Sequence, residues 1–403
     1  MAKRFLILFF TILFTALVLP LHAQRVITVR KSAAVNPTIA FPGVPQDAEL
    51  SQAIQRFLAV CGWFDMPQNG KNADFTIQAE KKGNSLELHL YMGNSRVNGW
   101  RFNTSAGARE CAKSVVDTII EQVFEQLKVK GFCHSRIAFC AETNPGIRNI
   151  FLCDIDGGNV EQITAYRTLN VEPCWAPSGK TICFSKYGRT GIDIVETTVR
   201  TPRKSRIISS FRGINTGAAI SPDGSSMAVI LSPDHQVDLY VLGLQKRFRN
   251  RLTKGIAVEA SPCWSPDGRQ IAFVSDRRGN PRIFICNADG SNLTMLPSVG
   301  IDAVTPAWSA DGKIAYATRP QRSGGYVLAV YNLNTKENEI VSKGEGSWES
   351  PGWAADNRQV VCKRTLNGKS SLWIVDTVTG RERELLRTGT ELFDPSWSPC
   401  IKR

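Results

Sequence analysis

A short turn sequence recurs through the C-terminal two thirds of the chain at an almost constant interval. Its fullest form is Trp-Ser-Pro-Asp-Gly, beginning at Trp264. Related turns begin at Trp175, Ile220, Trp308, Trp353 and Trp397, so that the six copies lie 45, 44, 44, 45 and 44 residues apart. A constant period of this length, built from short apolar segments separated by turns, is typical of a β-propeller in which each repeat is one four-stranded blade.

Each repeat contains the apolar segments that a blade requires. In the repeat that begins at Trp264, residues 271–274 and 282–286 are apolar, and comparable segments follow the other turns. Asp-Gly between two β-rich runs favours a tight reversal, because glycine adopts positive φ without steric cost. The turn is therefore expected to be structural, with its tryptophan packed between neighbouring blades. Residues 154–157 resemble the start of a calcium loop but lack the later glutamate that such a loop needs.

The two ends of the repeat region are expected to complete one blade together. Only six residues follow Trp397, whereas residues 136–140 read like the strand that should come next. Pairing of the strand at 394–400 with residues 136–140 would hide two edges that an open ring exposes. We therefore predict a six-bladed propeller over residues 136–403.

Residues 24–131 have a different pattern, in which strand-like alternation is combined with helical periodicity. Leu50, Ile54 and Phe57 recur at helical spacing, as do Val115, Ile119 and Val123, and residues 75–79 and 86–92 alternate as strands. This pattern predicts a small α/β domain in which helices cover one face of a sheet. The predicted fold class is thus mainly β, a six-bladed β-propeller with a small N-terminal α/β domain.

The first 23 residues have the features of a secretory signal peptide. A basic start at Lys3 and Arg4 precedes an apolar run over residues 5–19, and Ala23 offers a small residue for cleavage. An uncleaved anchor is the alternative, but the run is shorter than the roughly 20 residues that a span needs. We expect an exported, periplasmic protein that is peripheral to membranes and does not span them.

The charge and the cysteines bear on partners and on redox state. The net charge of +13 favours anionic partners, but no long basic run supports nucleic-acid binding. Eleven cysteines would suggest disulfides in an exported protein, yet Cys183 and Cys362 fall in apolar strand segments, where a free thiol packs as a small hydrophobe. Cys140 with Cys153, on adjoining strands of one blade, is the pairing to test first.

The sequence offers no recognisable catalytic site. Beyond residue 23 there are three histidines, His89, His134 and His235, and no two have the spacing of metal ligands. Nucleophile-elbow, phosphate-loop and dinucleotide motifs are not found. We expect no enzyme activity, no cofactor and no metal. An enzyme using the central tunnel would need acids converging with a base or a metal.

The domain order and the chain ending resemble those of the TolB family, the periplasmic component of the Tol-Pal system. The resemblance rests on the repeated turns, on residues 38–42 (TIAFP) and on the ending at residues 393–399 (FDPSWSP), and it covers nearly the whole chain after residue 23. It implies a non-enzymatic scaffold that binds the peptidoglycan-associated lipoprotein Pal at one mouth of the ring. It also implies contact with TolA through the N-terminal segment, a role in outer-membrane integrity and constriction during division, and recognition by some bacteriocins.

In a propeller, the loops that precede the innermost strands converge on one mouth, and this places a set of candidate partner-binding residues together. These are Glu172, Thr216, Glu259, Ser261, Thr305, Trp348, Glu349, Phe393 and Asp394. We expect the carboxylates to make this mouth acidic and Trp348 and Phe393 to act as anchors.

The second predicted contact is the N-terminal segment, which we expect to add a strand to a partner or to detach. Its candidate residues are Arg25, Val26, Ile27, Thr28 and Val29. The alternative function is a glycan- or peptidoglycan-binding propeller module, which the basic charge and the aromatic residues favour.

Overall fold

The computed structural model describes residues 35–67, 72–200, 203–245 and 248–400. The predicted signal peptide and the candidate segment from Arg25 to Val29 lie outside these residues. No helix in the described ranges is both long enough and apolar enough to cross a membrane.

The N-terminal domain is one four-stranded sheet with two α-helices packed on one face. Its strands, which neighbour each other in the order β1-β2-β3-β4, are β1 (Ile39–Ala40), β2 (Phe75–Lys82), β3 (Ser85–Met92) and β4 (Ser95–Asn103). The helices are α1 (Ala48–Val60) and α2 (Ala108–Val123), followed by a short 3-10 helix at Glu125–Leu127. Alternate residues of β3, including Leu86, Leu88 and Leu90, are buried against the helices, as a half-buried strand requires.

The described part of the remaining chain forms six four-stranded sheets, so the prediction of a six-bladed propeller with a small α/β domain is confirmed. Blade 1 contains β5 (Arg136–Asn144), β6 (Ile147–Asp154), β7 (Glu161–Gln162) and, from the C-terminus, β28 (Leu392–Trp397). Blade 2 contains β8 (Asn170–Trp175), β9 (Thr181–Tyr187), β10 (Ile192–Thr198) and β11 (Ser205–Ser209). Blade 3 contains β12 (Asn215–Ile220), β13 (Ser226–Leu231), β14 (Asp238–Gly243) and β15 (Arg249–Arg251).

The other three blades repeat this order. Blade 4 contains β16 (Glu259–Trp264), β17 (Gln270–Arg278), β18 (Asn280–Asn287) and β19 (Thr294–Met295). Blade 5 contains β20 (Val304–Trp308), β21 (Lys313–Thr318), β22 (Val327–Asn332) and β23 (Asn338–Ile340). Blade 6 contains β24 (Ser347–Trp353), β25 (Gln359–Leu366), β26 (Lys369–Asp376) and β27 (Glu382–Leu386).

The ring is closed by the pairing of β28 with β5. Trp397 lies opposite Ile137 and Phe393 lies opposite Cys140 in an antiparallel register. The innermost strand of blade 1 therefore comes from the C-terminal end of the chain, while its other three strands come from the start of the repeat region. This arrangement pairs the edges that an open ring would expose.

The repeated turn has a local and an inter-blade role. In the copy at Trp264, the Ser265 hydroxyl donates to Asp267 Oδ1 at 2.6 Å and Gly268 adopts φ 70°. The indole N–H of Trp264 donates to the carbonyl of Ala219 in the preceding blade at 2.9 Å, and Trp353 donates to Ala307 in the same way. The expected packing of these tryptophans between blades is therefore confirmed, and a hydrogen bond accompanies it.

The N-terminal domain packs on the end of the propeller where the repeated turns lie. The indole of Trp63 donates to Asp356 in the turn of blade 6 at 3.0 Å, and Arg109 binds Asp154 and Asp156 at the end of β6 in blade 1. One hydrophobic core runs through both domains, in which the ring of Phe132 meets that of Trp397 edge to face at 6.2 Å. The opposite end of the propeller, where the innermost strands begin, is left open by these contacts.

The register of blade 1 overturns the proposed Cys140–Cys153 disulfide. Cys140 lies opposite Ile150 and Cys153 lies opposite Ile137. The two cysteines are therefore three residue pairs apart, roughly 10 Å along the strands, whereas a disulfide needs Cα atoms within about 7 Å. The structure has eleven free thiols, and Cys183 and Cys362 are buried as expected. Burial raises the pKa of both thiols well above the ordinary value.

Candidate partner-binding mouth of the propeller

We call the open end of the central channel, where the six innermost strands begin, the mouth. Three successive residues at, or in blade 5 just before, the start of each innermost strand occupy it. The first positions are Asn170, Asn215, Glu259, Ala303, Trp348 and Leu392. The second positions are Val171, Thr216, Ala260, Val304, Glu349 and Phe393. The third positions are Glu172, Gly217, Ser261, Thr305, Ser350 and Asp394, and all six have positive φ.

The first positions are buried in all six blades, which corrects two predicted contact residues. Trp348 is 0% exposed and its indole N–H donates to the Gly344 carbonyl at 2.9 Å. Glu259 is 3% exposed and bound to Arg277 at 2.7 Å, and burial raises the pKa of its carboxyl although that arginine lowers it. Because side chains alternate along a strand, this position points into the blade packing. Trp348 and Glu259 therefore do not form the surface that a partner can contact.

The third positions line the central channel, a cavity of about 330 Å³. The strand register shifts at this point in each blade, as a β-bulge requires. Ser261 and Thr305 lie here, so these predicted residues face the channel. Six equivalent residues, five of them not glycine, have positive φ. This conformation strains the backbone, and the surrounding structure of the ring offsets its free-energy cost.

Glu172 joins two blades at this level. Its Oε2 accepts hydrogen bonds from the Thr216 hydroxyl at 2.6 Å and the Gly217 backbone N–H at 2.9 Å, both in blade 3. The Ser185 hydroxyl of its own blade also donates to it, at 2.9 Å. The structure thus brings Thr216 and Glu172, both candidate residues of the mouth, into contact, and this carboxylate oxygen accepts its hydrogen bonds from within the protein.

Asp394 makes the equivalent contact one blade earlier. Its Oδ2 accepts from the Glu172 backbone N–H at 3.4 Å. Burial raises the pKa of the Asp394 carboxyl, and the nearby negative charge of Glu172 raises it further. The side chain therefore ionises less readily than an exposed aspartate.

At the second positions, Glu349 and Phe393 form a compact group with two cations. Lys363 Nζ lies 3.0 Å from Glu349 Oε2 and 5.2 Å from the centre of the Phe393 ring. The guanidinium of Arg148 lies 3.5 Å from the centre of that ring. Phe393 is half-buried, so an aromatic ring flanked by two cations stands at the mouth.

These cations are residues that the sequence reasoning missed. Arg148 and Lys363 lie on β6 and β25, and Lys186 on β9 lies 4.2 Å from the centre of the Tyr166 ring. The mouth therefore carries cations beside its carboxylates, of which Glu259 is buried and Glu349 is paired with Lys363. The excess of basic residues was the available signal, but it did not show where they cluster.

The loop before β16 is a second feature that was missed. Ile256 is 98% exposed and Val258 is half exposed, next to the exposed Lys254. Since this loop leads into an innermost strand, it lies at the same end of the propeller as Phe393. An apolar side chain this exposed on a loop tip is a feature of contact surfaces.

The described part of the chain holds no group of three or more potential metal-binding side chains, so nothing there indicates a metal site at the mouth. The only carboxylates of the third positions, Glu172 and Asp394, come from adjacent blades and are linked through a backbone N–H. The arrangement can bind a partner surface through cations, an aromatic ring and apolar loop residues.

Comparison with known proteins places these features in a family. The sequence profile of the TolB beta propeller domain matches residues 124–401. A Tol-Pal system protein TolB of Francisella tularensis subsp. tularensis (strain WY96-3418) is 26% identical over 305 residues, which are 71% of this chain and 69% of that protein. A protein TolB homolog of Chlorobium luteolum (strain DSM 273 / BCRC 81028 / 2530) is 33% identical over 156 residues, 38% of this chain and 34% of that one.

Solved structures show a similar fold. The crystal structure of TolB from Acinetobacter baumannii superposes with a TM-score of 0.80 at 22% identity, over 91% of this chain and 97% of that one. Hydrazine synthase of Kuenenia stuttgartiensis superposes with a TM-score of 0.56 at 15% identity, over 68% of this chain and 48% of that one. Since the second is named as an enzyme, the propeller fold alone does not decide function.

Proposed function

Because the chain belongs to the TolB beta propeller domain family, we propose that it is a non-enzymatic scaffold of a Tol-Pal system. In this proposal the mouth binds a Pal-like, peptidoglycan-associated lipoprotein. The observation that carries it is the Phe393 ring between Arg148 and Lys363, at the end of the propeller that the N-terminal domain leaves open. Aromatic and arginine side chains at the centre of a contact surface contribute most to binding.

The mouth also indicates what kind of partner surface fits. Arg148, Lys186 and Lys363 on blades 1, 2 and 6 attract carboxylates, and Ile256, in the loop from blade 3 to blade 4 across the ring, offers an apolar contact. We therefore propose that the Pal-like partner presents an acidic segment with at least one apolar side chain. Thr216, Ser261 and Thr305, and the carboxylates of Glu172, Glu349 and Asp394, hold the shape of this mouth and remain candidate contacts.

The rest of the proposal concerns the cell envelope. The segment from Arg25 to Val29 contacts a TolA-like protein anchored in the inner membrane, and the protein acts in the periplasm after removal of residues 1–23. The resulting link supports outer-membrane integrity and constriction during cell division, and bacteriocins that imitate the Pal-like partner bind the same mouth. The names of the Tol-Pal relatives support this assignment.

The test is recovery of a partner and measurement of its affinity. Immobilised protein beginning at Gln24 is expected to retain a lipoprotein from a periplasmic extract of its own host, and calorimetry with the purified soluble part of that lipoprotein gives Kd. Phe393→Ala is expected to weaken binding at least tenfold, since it removes a central aromatic contact. Leu293→Ala on blade 4 is the control, because Leu293 is exposed away from the mouth.

Two results would contradict the proposal. If the matrix retains glycan fragments and no lipoprotein, the protein is a glycan-binding module instead. If the lipoprotein binds equally well to Phe393→Ala and to the unchanged protein, it docks elsewhere on the surface.

A further inference from the structure

The outer rim of blades 2 and 3 carries an exposed apolar groove that the proposed scaffold function does not use. We call it the rim groove, a cavity of about 460 Å³. It is lined by Arg206, Ile207, Ile208, Phe211, Leu242, Gly243, Leu244, Phe248 and Arg249. Ile207 is 60% exposed, Phe248 43% and Phe211 38%, which is unusual for residues of this kind.

The fold does not require these apolar side chains to be exposed. β11 is the outer edge strand of blade 2, and its pairing with β10 is shifted between Ile207 and Ser209. As a result Ser209 is buried and its hydroxyl donates to Asn215 Oδ1 at 2.7 Å, whereas the apolar Ile207 faces solvent. A polar residue at position 207 would satisfy the same strand, so packing alone does not account for isoleucine.

Two arginines, Arg206 and Arg249, line the groove, and Lys204 and Arg212 lie close to its residues in the chain. Arg206 is bound to Glu196 at 2.6 Å. No salt bridge found among the described residues includes Lys204, Arg212 or Arg249, and all three are exposed. The Arg249 guanidinium lies 4.8 Å from the centre of the Phe211 ring, so positive charge and apolar surface are in contact.

We propose that the rim groove binds the surface of a membrane that contains anionic phospholipids. Exposed apolar side chains beside arginine and lysine can enter the headgroup region while the cations bind the phosphates. The apolar residues come from three separate segments of two blades. Exposed cations without an acidic partner next to them suit an anionic lipid surface better than the centre of a protein interface, where charged residues are depleted. This site is separate from the mouth, so the two proposals stand or fall independently.

The test is co-sedimentation of the protein with vesicles. Protein beginning at Gln24 is used, because the apolar run of residues 5–19 would itself bind lipid. We expect binding to vesicles of 30% phosphatidylglycerol in phosphatidylcholine and much weaker binding to phosphatidylcholine alone. Lys204→Ala with Arg249→Ala should weaken binding roughly 25-fold, about fivefold for each cation near an anionic surface. Ile207→Ser with Phe248→Ser should weaken it about tenfold.

Two matched control variants test whether the loss of vesicle binding is specific to the rim groove. Arg148→Ala with Lys363→Ala removes the same charge from the mouth, and Leu293→Ser with Met295→Ser removes exposed apolar side chains from blade 4. Both double variants are expected to keep vesicle binding within about twofold, and thermal unfolding checks that every variant is folded. The rim variants are expected to retain the Pal-like lipoprotein.

Four outcomes would overturn the proposal. One is failure of the unchanged protein to sediment with the anionic vesicles. Another is equal loss of binding in the mouth variant, which would make the effect one of net charge. The third is full displacement from the vesicles by inorganic phosphate at millimolar concentration, which would assign the groove to a free anion. The fourth is dimerisation in light scattering that Ile207→Ser with Phe248→Ser abolishes, which would assign the groove to a second copy of the chain.

Discussion

At the scale of single residues, the mouth contains a carboxyl group that lowers stability. Burial raises the pKa of Asp394 and the charge of Glu172 adds to this effect. A carboxyl whose pKa is higher in the folded than in the unfolded protein binds its proton more tightly when folded. Stability is therefore lost as the pH rises through the interval between the two pKa values.

We expect Asp394→Asn to stabilise the protein at pH 7 by on the order of 1 kcal/mol. Asparagine keeps an oxygen that accepts from the Glu172 backbone N–H but carries no charge. The gain should shrink as the pH is lowered towards the raised pKa, because Asp394 itself is then neutral. Urea unfolding at several pH values measures this, and a loss of stability at pH 7 would show that the ionised carboxylate is favoured.

At the scale of elements, the tryptophans of three repeats each tie one blade to the preceding one. Trp264 and Trp353 donate to a carbonyl of the preceding innermost strand, and Trp175 donates to Ser396 at 3.1 Å. The last of these joins blade 2 to the strand that closes the ring. These ties lie at the turn end of the strands. At the mouth, Asp394 accepts from the Glu172 backbone N–H, so blades 1 and 2 are joined at both ends.

We expect Trp264→Phe to destabilise the protein by about 1 kcal/mol more than Trp308→Phe. Both changes remove a similar apolar volume. Only the first removes an indole N–H that makes a hydrogen bond among the described residues. Denaturant midpoints of the two variants give the comparison. Equal losses would mean that the tryptophans act through packing alone.

At the scale of the whole molecule, charged groups hold the N-terminal domain against blades 1 and 6. The Asp156 side chain is fully buried and contacts Arg56 and Arg109. Burial alone would raise the pKa of Asp156, but Arg109, the Gly158 backbone N–H and Arg56 lower it overall. A carboxyl with a lowered folded pKa stabilises the protein above its ordinary value of 3.8 and loses this contribution as the pH falls through the folded value.

We expect Arg109→Ala to destabilise the protein by about 3 kcal/mol, because it leaves the buried Asp154 and Asp156 with less compensation. Arg101→Ala is the control, since Arg101 pairs with Glu87 on an exposed face of the same domain and should cost at most about 1 kcal/mol. Calorimetry of both variants tests this. Because one core runs through both domains, a single transition is expected, and two separate transitions would contradict it.

The sequence by itself determined the blades and their number. The signals for the blades are local or regularly spaced: a period of about 44 residues, glycine in the turn and strand-like alternation. They predict the structure correctly because each repeat folds as the same unit. The α/β pattern of the first domain was visible for the same reason, in Leu50 and Ile54 at helical spacing and in the alternation of residues 86–92.

Only the tertiary structure decided which side chains reach the mouth. Trp348 and Phe393 lie one position apart in their repeats, yet the first is buried and the second meets Arg148 and Lys363. Cys140 and Cys153 lie on paired strands, but their register separates them. Whether a side chain is buried or faces the mouth depends on strand register, on the bulge in each innermost strand and on the neighbouring blade. These are contacts between residues far apart in the chain, which a period along the sequence does not encode.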